Sequence, residues 1–473
     1  MTTVTFSEPG LAVNPSPPAR ELVPESPLTL NRFARFYAPL AATSLLLTAT
    51  NPLLVSAMSR SVNPAVALAG FAVAFSLCGV LYSPVLVGQQ VAATKLLKGR
   101  QFGPIKNFWV RIGALLSLVA VAVAFTPLGD WVFGGVMGVS GDIFDEARSA
   151  IAVLAPVPLL TAMRAVHQGR LVAGHRTNPI AFATGARTAI LALVSVVLTV
   201  STRGGAWVGA TAFTVGLLVE TVFVAGARVG PNGAHHPVAA EGVDPGGADD
   251  DMLRFSTPLM ANVLLWWSTP LLINSVLARS PFPAEAIAAF VVVEAVAWFL
   301  AAPVGQYQHV SIGLVDCKRA HRAVHRWALG LAIGVALLVA LVSIPLVRSA
   351  LLGAVFGLDP GLLSDIGTAL PFAVAYPLLY GHRQYYQGLF TRSGRSDAVG
   401  WGATLRVASV LAVAVAGLGP LGEAGATLGV LSVIVGLVVE GVFLERVFRR
   451  QVMSTLPESR PSRRSALSSE GVT

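Results

Sequence analysis

The sequence predicts an all-α polytopic membrane protein, with twelve transmembrane helices in two six-helix bundles related by a pseudo-two-fold axis along the membrane normal. Three observations carry this. First, the 473 residues are 54% hydrophobic and only 12% charged, with mean hydropathy +0.69, whereas a soluble protein carries about 25% charged residues. Second, twelve apolar runs are each long enough to cross a hydrocarbon core of about 30 Å, which takes roughly 20 helical residues. Third, the second half of the chain repeats the first at a fixed spacing. The same figures exclude a soluble enzyme, a disordered chain and a disulfide-rich secreted scaffold.

Residues 1–33 carry Pro9, Pro15, Pro17, Pro18, Pro24 and Pro27 and no apolar core, so they read as a disordered cytoplasmic tail, not a signal peptide. The first bundle, 34–227, holds apolar runs at 34–58, 64–91, 108–127, 149–170, 178–200 and 205–227. A cytoplasmic linker is expected over 228–253. Its His235, His236, Glu241, Asp244 and Asp249–Asp251 match no rigid metal-ligand spacing and read as a solvated acidic segment. The second bundle, 254–447, holds runs at 254–278, 284–309, 326–347, 365–389, 398–417 and 423–445. Residues 448–473 are rich in Ser, Arg and Pro and read as a second disordered tail. Cys78 lies in an apolar run and Cys317 in a basic loop, a spacing that suits neither a metal site nor a redox pair. No metal and no cofactor is expected.

Lys and Arg total 33 against 24 Asp and Glu, a net charge of +9. Topology accounts for most of it. One set of loops holds Lys95, Lys98, Arg100, Lys106, Arg176, Arg228, Lys318, Arg319, Arg322, Arg326, Arg392 and Arg395. The alternate loops hold only Arg60, Arg148, Arg203, Arg279 and Arg348. Both tails are basic. Positive charge collects on the cytoplasmic side, which places both termini there and makes a nucleic-acid partner unnecessary.

The repeat is explicit. RFYAPL at 35–40 returns as RFSTPL at 254–259, a spacing of 219 residues. The same spacing pairs Arg60-Ser61 with Arg279-Ser280, Pro84 with Pro303, Pro158-Leu159-Leu160 with Pro377-Leu378-Leu379, and Gln168-Gly169 with Gln387-Gly388. GLLVE at 216–220 returns as GLVVE at 436–440. Six spans per half is an even number, so both halves enter the membrane in the same sense and frame a central cavity. Pro84 and Pro303 are expected to bend the second and eighth spans, and Pro39 and Pro258 the first and seventh.

Four arginines fall inside spans: Arg164, Arg187, Arg383 and Arg406. Arg187 stands about ten residues, roughly 15 Å, into its helix. A charge at that depth costs from about 2.5 to over 10 kcal/mol unless it faces water or a partner. Two equivalent arginine pairs facing one cavity would make a cationic pocket with fork-shaped donors for carboxylate or phosphate. The plainer alternative is that each pair is stapled to Glu220 or Glu440, or that Arg164 snorkels to the surface. Glu294 has no repeat partner, because Phe75 stands at its equivalent position. It is a candidate coupling site for H+ or Na+, or the counter-ion of one arginine, with the counter-ion favoured. Asn262, Asn274, Tyr307, Gln308, His309, Tyr385 and Tyr386 are candidate cavity lining. Asp142, Asp145 and Glu146 alone do not make a glycosyltransferase site, and no GxxxxGK[ST] phosphate loop occurs. Catalytic groups would have no reason to recur at a fixed spacing, so no enzyme is expected.

The duplicated six-span halves, with Gln-Gly near the ends of the fourth and tenth spans, resemble the multidrug/oligosaccharidyl-lipid/polysaccharide exporter superfamily, which implies a MATE-like fold. LRVASVLAVAVAGLGPLGEAGATLGVLSVIVGLVVE at 405–440 and RFYAPLAATSLLL at 35–47 resemble the progressive ankylosis protein family. That resemblance implies export of pyrophosphate, ATP or citrate. Cation-coupled drug exporters of similar fold usually carry an acidic residue in the first or seventh span, and 36–58 and 255–278 contain none. The reading is a monomeric cell-membrane secondary transporter exporting a small organic or phosphorylated anion by alternating access. The alternatives are efflux of drugs or secondary metabolites, or flipping of an anionic lipid-linked precursor.

Overall fold

The computed structural model describes residues 29–227 and 248–458, except positions 98, 175, 177, 203 and 394. The first half runs through α1 (Leu30–Thr48), α2 (Thr50–Met58), α3 (Pro64–Leu86), α4 (Gly88–Leu97), α5 (Phe102–Phe125), a π-helical turn at Asp130–Val136, α6 (Gly141–Leu154), α7 (Val157–Ala173), α8 (Asn178–Ser201) and α9 (Ala206–Gly226). The second runs through α10 (Ala248–Leu277), α11 (Pro283–Gly305), α12 (Tyr307–Leu314), α13 (Lys318–Ser343), α14 (Pro345–Arg348), a π-helical turn at Ser349–Val355, α15 (Pro360–Ala373), α16 (Tyr376–Arg392), α17 (Ser396–Leu421) and α18 (Gly425–Gln451).

Ten segments are each long and apolar enough to span a membrane, and α15 with α16, bent by 43°, form one more. One of the ten, 397–451, holds two helices. Along it Gly417 packs on Leu428, Gly436 on Arg406 and Val410, and Gly402 on Glu440 and Leu444. Contacts that run in opposite senses along the chain mark an antiparallel pair, which brings the crossings to the expected twelve.

The spacing of 219 recurs in the element starts: Pro64 and Pro283, Gly88 and Tyr307, Asp130 and Ser349, Gly141 and Pro360, Val157 and Tyr376. The causes are local. Pro64 and Pro283 open α3 and α11 at the first helical position, where a missing N–H costs nothing. Pro84 and Pro303 sit near the ends of the same helices, which stop within a few residues and restart as α4 and α12. Pro84 leaves the carbonyl of Val80 without its helical donor, and the Ser83 hydroxyl fills that place at 3.0 Å. Pro39 and Pro258, expected to bend the first and seventh spans, do not interrupt their helices. α1 continues past Pro39 to Thr48 and breaks at Ala49, and α10 runs unbroken through 258.

The tails and linker lie largely outside the described residues, at 1–28, 228–247 and 459–473. Their inner edges shift from the expected ones. α1 already starts at Leu30 and buries Phe33, and α10 already starts at Ala248. Residues 448–458 are not tail. Phe448 is fully buried, and the chain turns back so that the Lys318 and Arg319 amides donate to the Pro457 and Glu458 carbonyls at 2.9 and 3.2 Å. Lys318 Nζ lies 2.8 Å from the Glu458 carboxylate and, by that bond, holds it below the usual carboxylate range.

Large apolar side chains stand exposed along α5 (Leu115, Leu118, Phe125), α8 (Val196, Val200), α13 (Leu337, Leu341) and α17 (Trp401, Val415). These helices occupy equivalent places in the two halves, and such a belt suits lipid. α3 and α11 are buried nearly all round, pack against each other and form the centre of the molecule. Across the same junction Asn274 of α10 donates to the Ala72 carbonyl of α3 at 3.1 Å.

Just past the first span of each half a second junction repeats. Arg279 donates to the Met137 and Val136 carbonyls of the first π-helical turn at 2.9 and 2.8 Å. In the equivalent place, Ser59 donates to the Phe356 carbonyl and Arg60 lies against Gly357, its Cγ 3.4 Å from where a Cβ would stand.

Candidate functional site

Each half holds one buried carboxylate between two arginines. Glu220 on α9 is 1% exposed; its Oε2 meets Arg164 of α7 at 3.1 Å and Arg187 of α8 at 3.2 Å. Its Oε1 accepts from Gln168 at 3.2 Å and Thr184 at 3.3 Å. Glu440 on α18 is fully buried; its Oε2 meets Nε of Arg383 of α16 at 2.8 Å and Nε of Arg406 of α17 at 3.0 Å. These two approaches lie off the line of a hydrogen bond, so they are ion contacts. The second pair takes its aligned bonds elsewhere. Arg406 donates to Thr269 at 2.6 Å and to the Leu265 carbonyl at 3.3 Å, and Arg383 to Gln384 at 2.9 Å.

One carboxylate for two guanidinium groups leaves each cluster with a formal charge of +1. Glycine makes the approach possible: Gly216 and Gly436 face the Cγ atoms of Arg187 and Arg406, 3.3 and 3.2 Å from the position of an added Cβ.

A cavity of about 410 Å³ lies between the halves. Arg164, Arg187 and Arg406 reach its wall; Arg383 does not. The polar lining adds Thr50, Asn51, Ser76, Thr161, Thr269, Asn274 and Glu294. Most of the rest is aromatic or aliphatic. On one side Phe75 meets Phe213 edge to face at 5.0 Å, and Tyr82 meets Trp267 at 5.0 Å. Trp267 reaches this wall because Gly79 leaves room: a Cβ there would stand 2.6 Å from the indole. On the other side Trp298 lies 5.5 Å from Trp266 and 5.6 Å from Tyr376.

The structure separates the sequence candidates. Glu220 and Glu440 are counter-ions. Glu294 is not, since among the described residues it forms no ion pair; its carboxylate accepts from Trp298 Nε1 at 3.3 Å. Asn262, Gln308 and Tyr385 are not on the cavity wall. Tyr385 is 1% exposed and bonds through its hydroxyl to His321 Nδ1 at 2.8 Å. The Gln308 carbonyl packs against Gly388, as the Gln89 carbonyl packs against Gly169. The repeated Gln-Gly motif therefore serves close helix approach. Among 142–146, Glu146 has a structural role, accepting from the Ala206 amide at 2.7 Å. Asn274, a sequence candidate for the lining, is on the wall, whereas the sequence reading missed Trp266, Trp298, Tyr376 and Thr269.

Solved structures share this architecture. A multidrug resistance MATE family transporter of the MOP superfamily, in an inward-facing conformation, superposes with TM-score 0.67 at 17% identity over 88% of this chain and 99% of that one. The chain has a MATE-type fold. The lipid II flippase MurJ, in an inward closed conformation, superposes at TM-score 0.60 and 12% identity, covering 88% of each chain. A MOP superfamily transporter from Pyrococcus furiosus, described as having a binding pocket of reverse polarity, superposes at 0.56 and 16% identity over 89% of this chain and 97% of that one. No family model matches the sequence, and no curated protein matches it. In this MATE-type frame the arginine–glutamate clusters occupy equivalent places in the two halves, and the cavity lies at their junction.

Proposed function

We propose that the chain is a secondary transporter of the cell membrane, with both termini cytoplasmic, that exports a small organic or phosphorylated anion by alternating access. The observation that carries this is the presence of Arg164, Arg187 and Arg406 on the wall of a membrane-embedded cavity, in clusters with one glutamate for two arginines. The glutamates lower the cost of holding the arginines in the membrane and leave an excess positive charge that an anion would complete. Among the described residues Arg187 commits Nη1 alone to a hydrogen bond, so its guanidinium keeps donors for a ligand. The sequence resemblance to the progressive ankylosis family supports the same reading. Pyrophosphate-, nucleotide- and citrate-like anions are the class implied by that resemblance.

Glu294 supplies the coupling site in this proposal. It is the cavity carboxylate with no arginine partner, and a proton or Na+ there would link ion and substrate binding. The same carboxylate beside an aromatic wall favours a second reading, efflux of organic cations. Proteoliposomes loaded with pyrophosphate, citrate or an organic cation distinguish the two. Anion release that disappears in Arg187→Ala/Arg406→Ala, with the variant still monodisperse, supports the first reading. Cation efflux that survives the double substitution overturns it.

A further inference from the structure

The cavity holds far more ring surface than a small hydrated polyanion needs. Trp266 is flanked by two cations: the guanidinium carbons of Arg383 and Arg406 lie 4.5 and 4.7 Å from its ring centroid. Trp298 meets Trp266 at 88°, and Tyr376 packs behind it with its hydroxyl unbonded. Opposite, the Arg187 guanidinium stands 4.9 Å over Phe213.

The repeat shows that the fold does not require these rings. The positions equivalent to Trp266, Trp298 and Tyr376 are Leu47, Gly79 and Val157, and the first half builds the same helices with them. The aromatic wall is thus an addition to one half, placed beside a cluster that the fold repeats. A tri- or tetra-anion would have to shed its water against this wall, with donors on part of its surface only, which is costly. A flat ring carrying one acidic group meets both surfaces. The acid pairs with a guanidinium, and the ring replaces water on the Trp266–Trp298–Tyr376 wall. A volume of about 410 Å³ falls within the range of small-molecule sites.

We infer that this cavity selects an organic anion bearing a planar aromatic ring, with its acidic group on Arg187 and Arg406 and its ring on the Trp298–Tyr376 wall. The inference rests on the anion reading and narrows it away from inorganic and aliphatic polyanions.

The test uses the full-length protein in proteoliposomes. Indole-3-carboxylate, cyclohexanecarboxylate, pyrophosphate, citrate and tryptamine are compared as binding probes by quenching of intrinsic tryptophan fluorescence and by counterflow of the radiolabelled compound. The expected result is that indole-3-carboxylate binds roughly tenfold tighter than cyclohexanecarboxylate. Tyr376→Val, which installs the first-half residue, should bring that ratio close to one. Tyr376→Phe, which keeps the ring and loses only an unbonded hydroxyl, should restore it. Pyrophosphate or citrate binding without a preference for the ring acid would overturn this inference and leave the anion reading standing. Tryptamine binding with no anion binding, or no binding of any probe, would overturn both.

Discussion

Gly138 and Arg279 meet across the junction of the two halves. The glycine holds φ at +73°, and a Cβ there would stand 2.7 Å from the guanidinium carbon. Gly357, with φ at +77°, meets Arg60 in the equivalent place. Both pairs lie just past the first span of a half, where two π-helical turns present carbonyls to the partner half. Together the two pairs tie the halves to each other on both sides of that junction.

Arg279→Ala removes two hydrogen bonds between the halves. At about 1 kcal/mol each for partly exposed charged donors, the loss shifts an open–closed equilibrium by more than tenfold. Spin labels at Val136 and Phe282, both exposed, should report a longer and broader distance in the variant. An unchanged distribution would show that this junction does not hold the halves together.

The buried glutamates make a stability prediction. Glu440→Gln leaves Arg383 and Arg406 with no anionic partner, and breaking a buried pair costs about 3–5 kcal/mol. Glu220→Gln should cost less, because a glutamine there keeps bonds to Gln168 and Thr184, whereas among the described residues the polar contacts of the Glu440 carboxylate are to its arginines. Thermal unfolding in detergent orders the two; an equal loss would count against the difference in their surroundings.

Glu294→Gln separates coupling from stability. Among the described residues the side chain has one hydrogen bond and no ion pair, so its amide replacement should leave the melting temperature nearly unchanged. In a proton-coupled carrier the same change should flatten the dependence of transport on external pH. Transport by the variant that keeps its full pH dependence would remove Glu294 from the coupling role.

The arginines and their glutamates were legible in the sequence because each recurs near one spacing and buried charge is expensive. The Trp298–Tyr376 wall was not, because Gly79 and Val157 occupy its equivalent positions and a repeat cannot reveal what one half lacks. Tyr385 and Gln308 show a different limit. Polarity says that a side chain needs a partner, but not whether His321, a neighbouring helix or the cavity provides it. The break at Ala49 belongs to Pro52, whose missing N–H leaves the Thr48 carbonyl without its helical donor, a signal the sequence reading passed over in favour of Pro39.

Gly388 gives the sharpest packing test. A Cβ there overlaps both Ser311 Oγ and the Gln308 carbonyl, a backbone atom that cannot rotate away. Gly388→Ala must therefore push α16 off α12, and overpacking of this kind costs about 1–3 kcal/mol. Gly169→Ala, whose Cβ would stand 2.5 Å from the Gln89 carbonyl, should behave alike in the first half. Gly185 on α8 has open space around it, and Ala there should stabilise the helix by about 0.5–1 kcal/mol. Because all three exchange the same residue pair within helices, opposite signs at 388 and 185 would separate steric contact from intrinsic helix preference. Melting temperatures of the three variants in one detergent make the comparison. A stabilised Gly388→Ala protein would mean that α16 and α12 do not pack at the distance described.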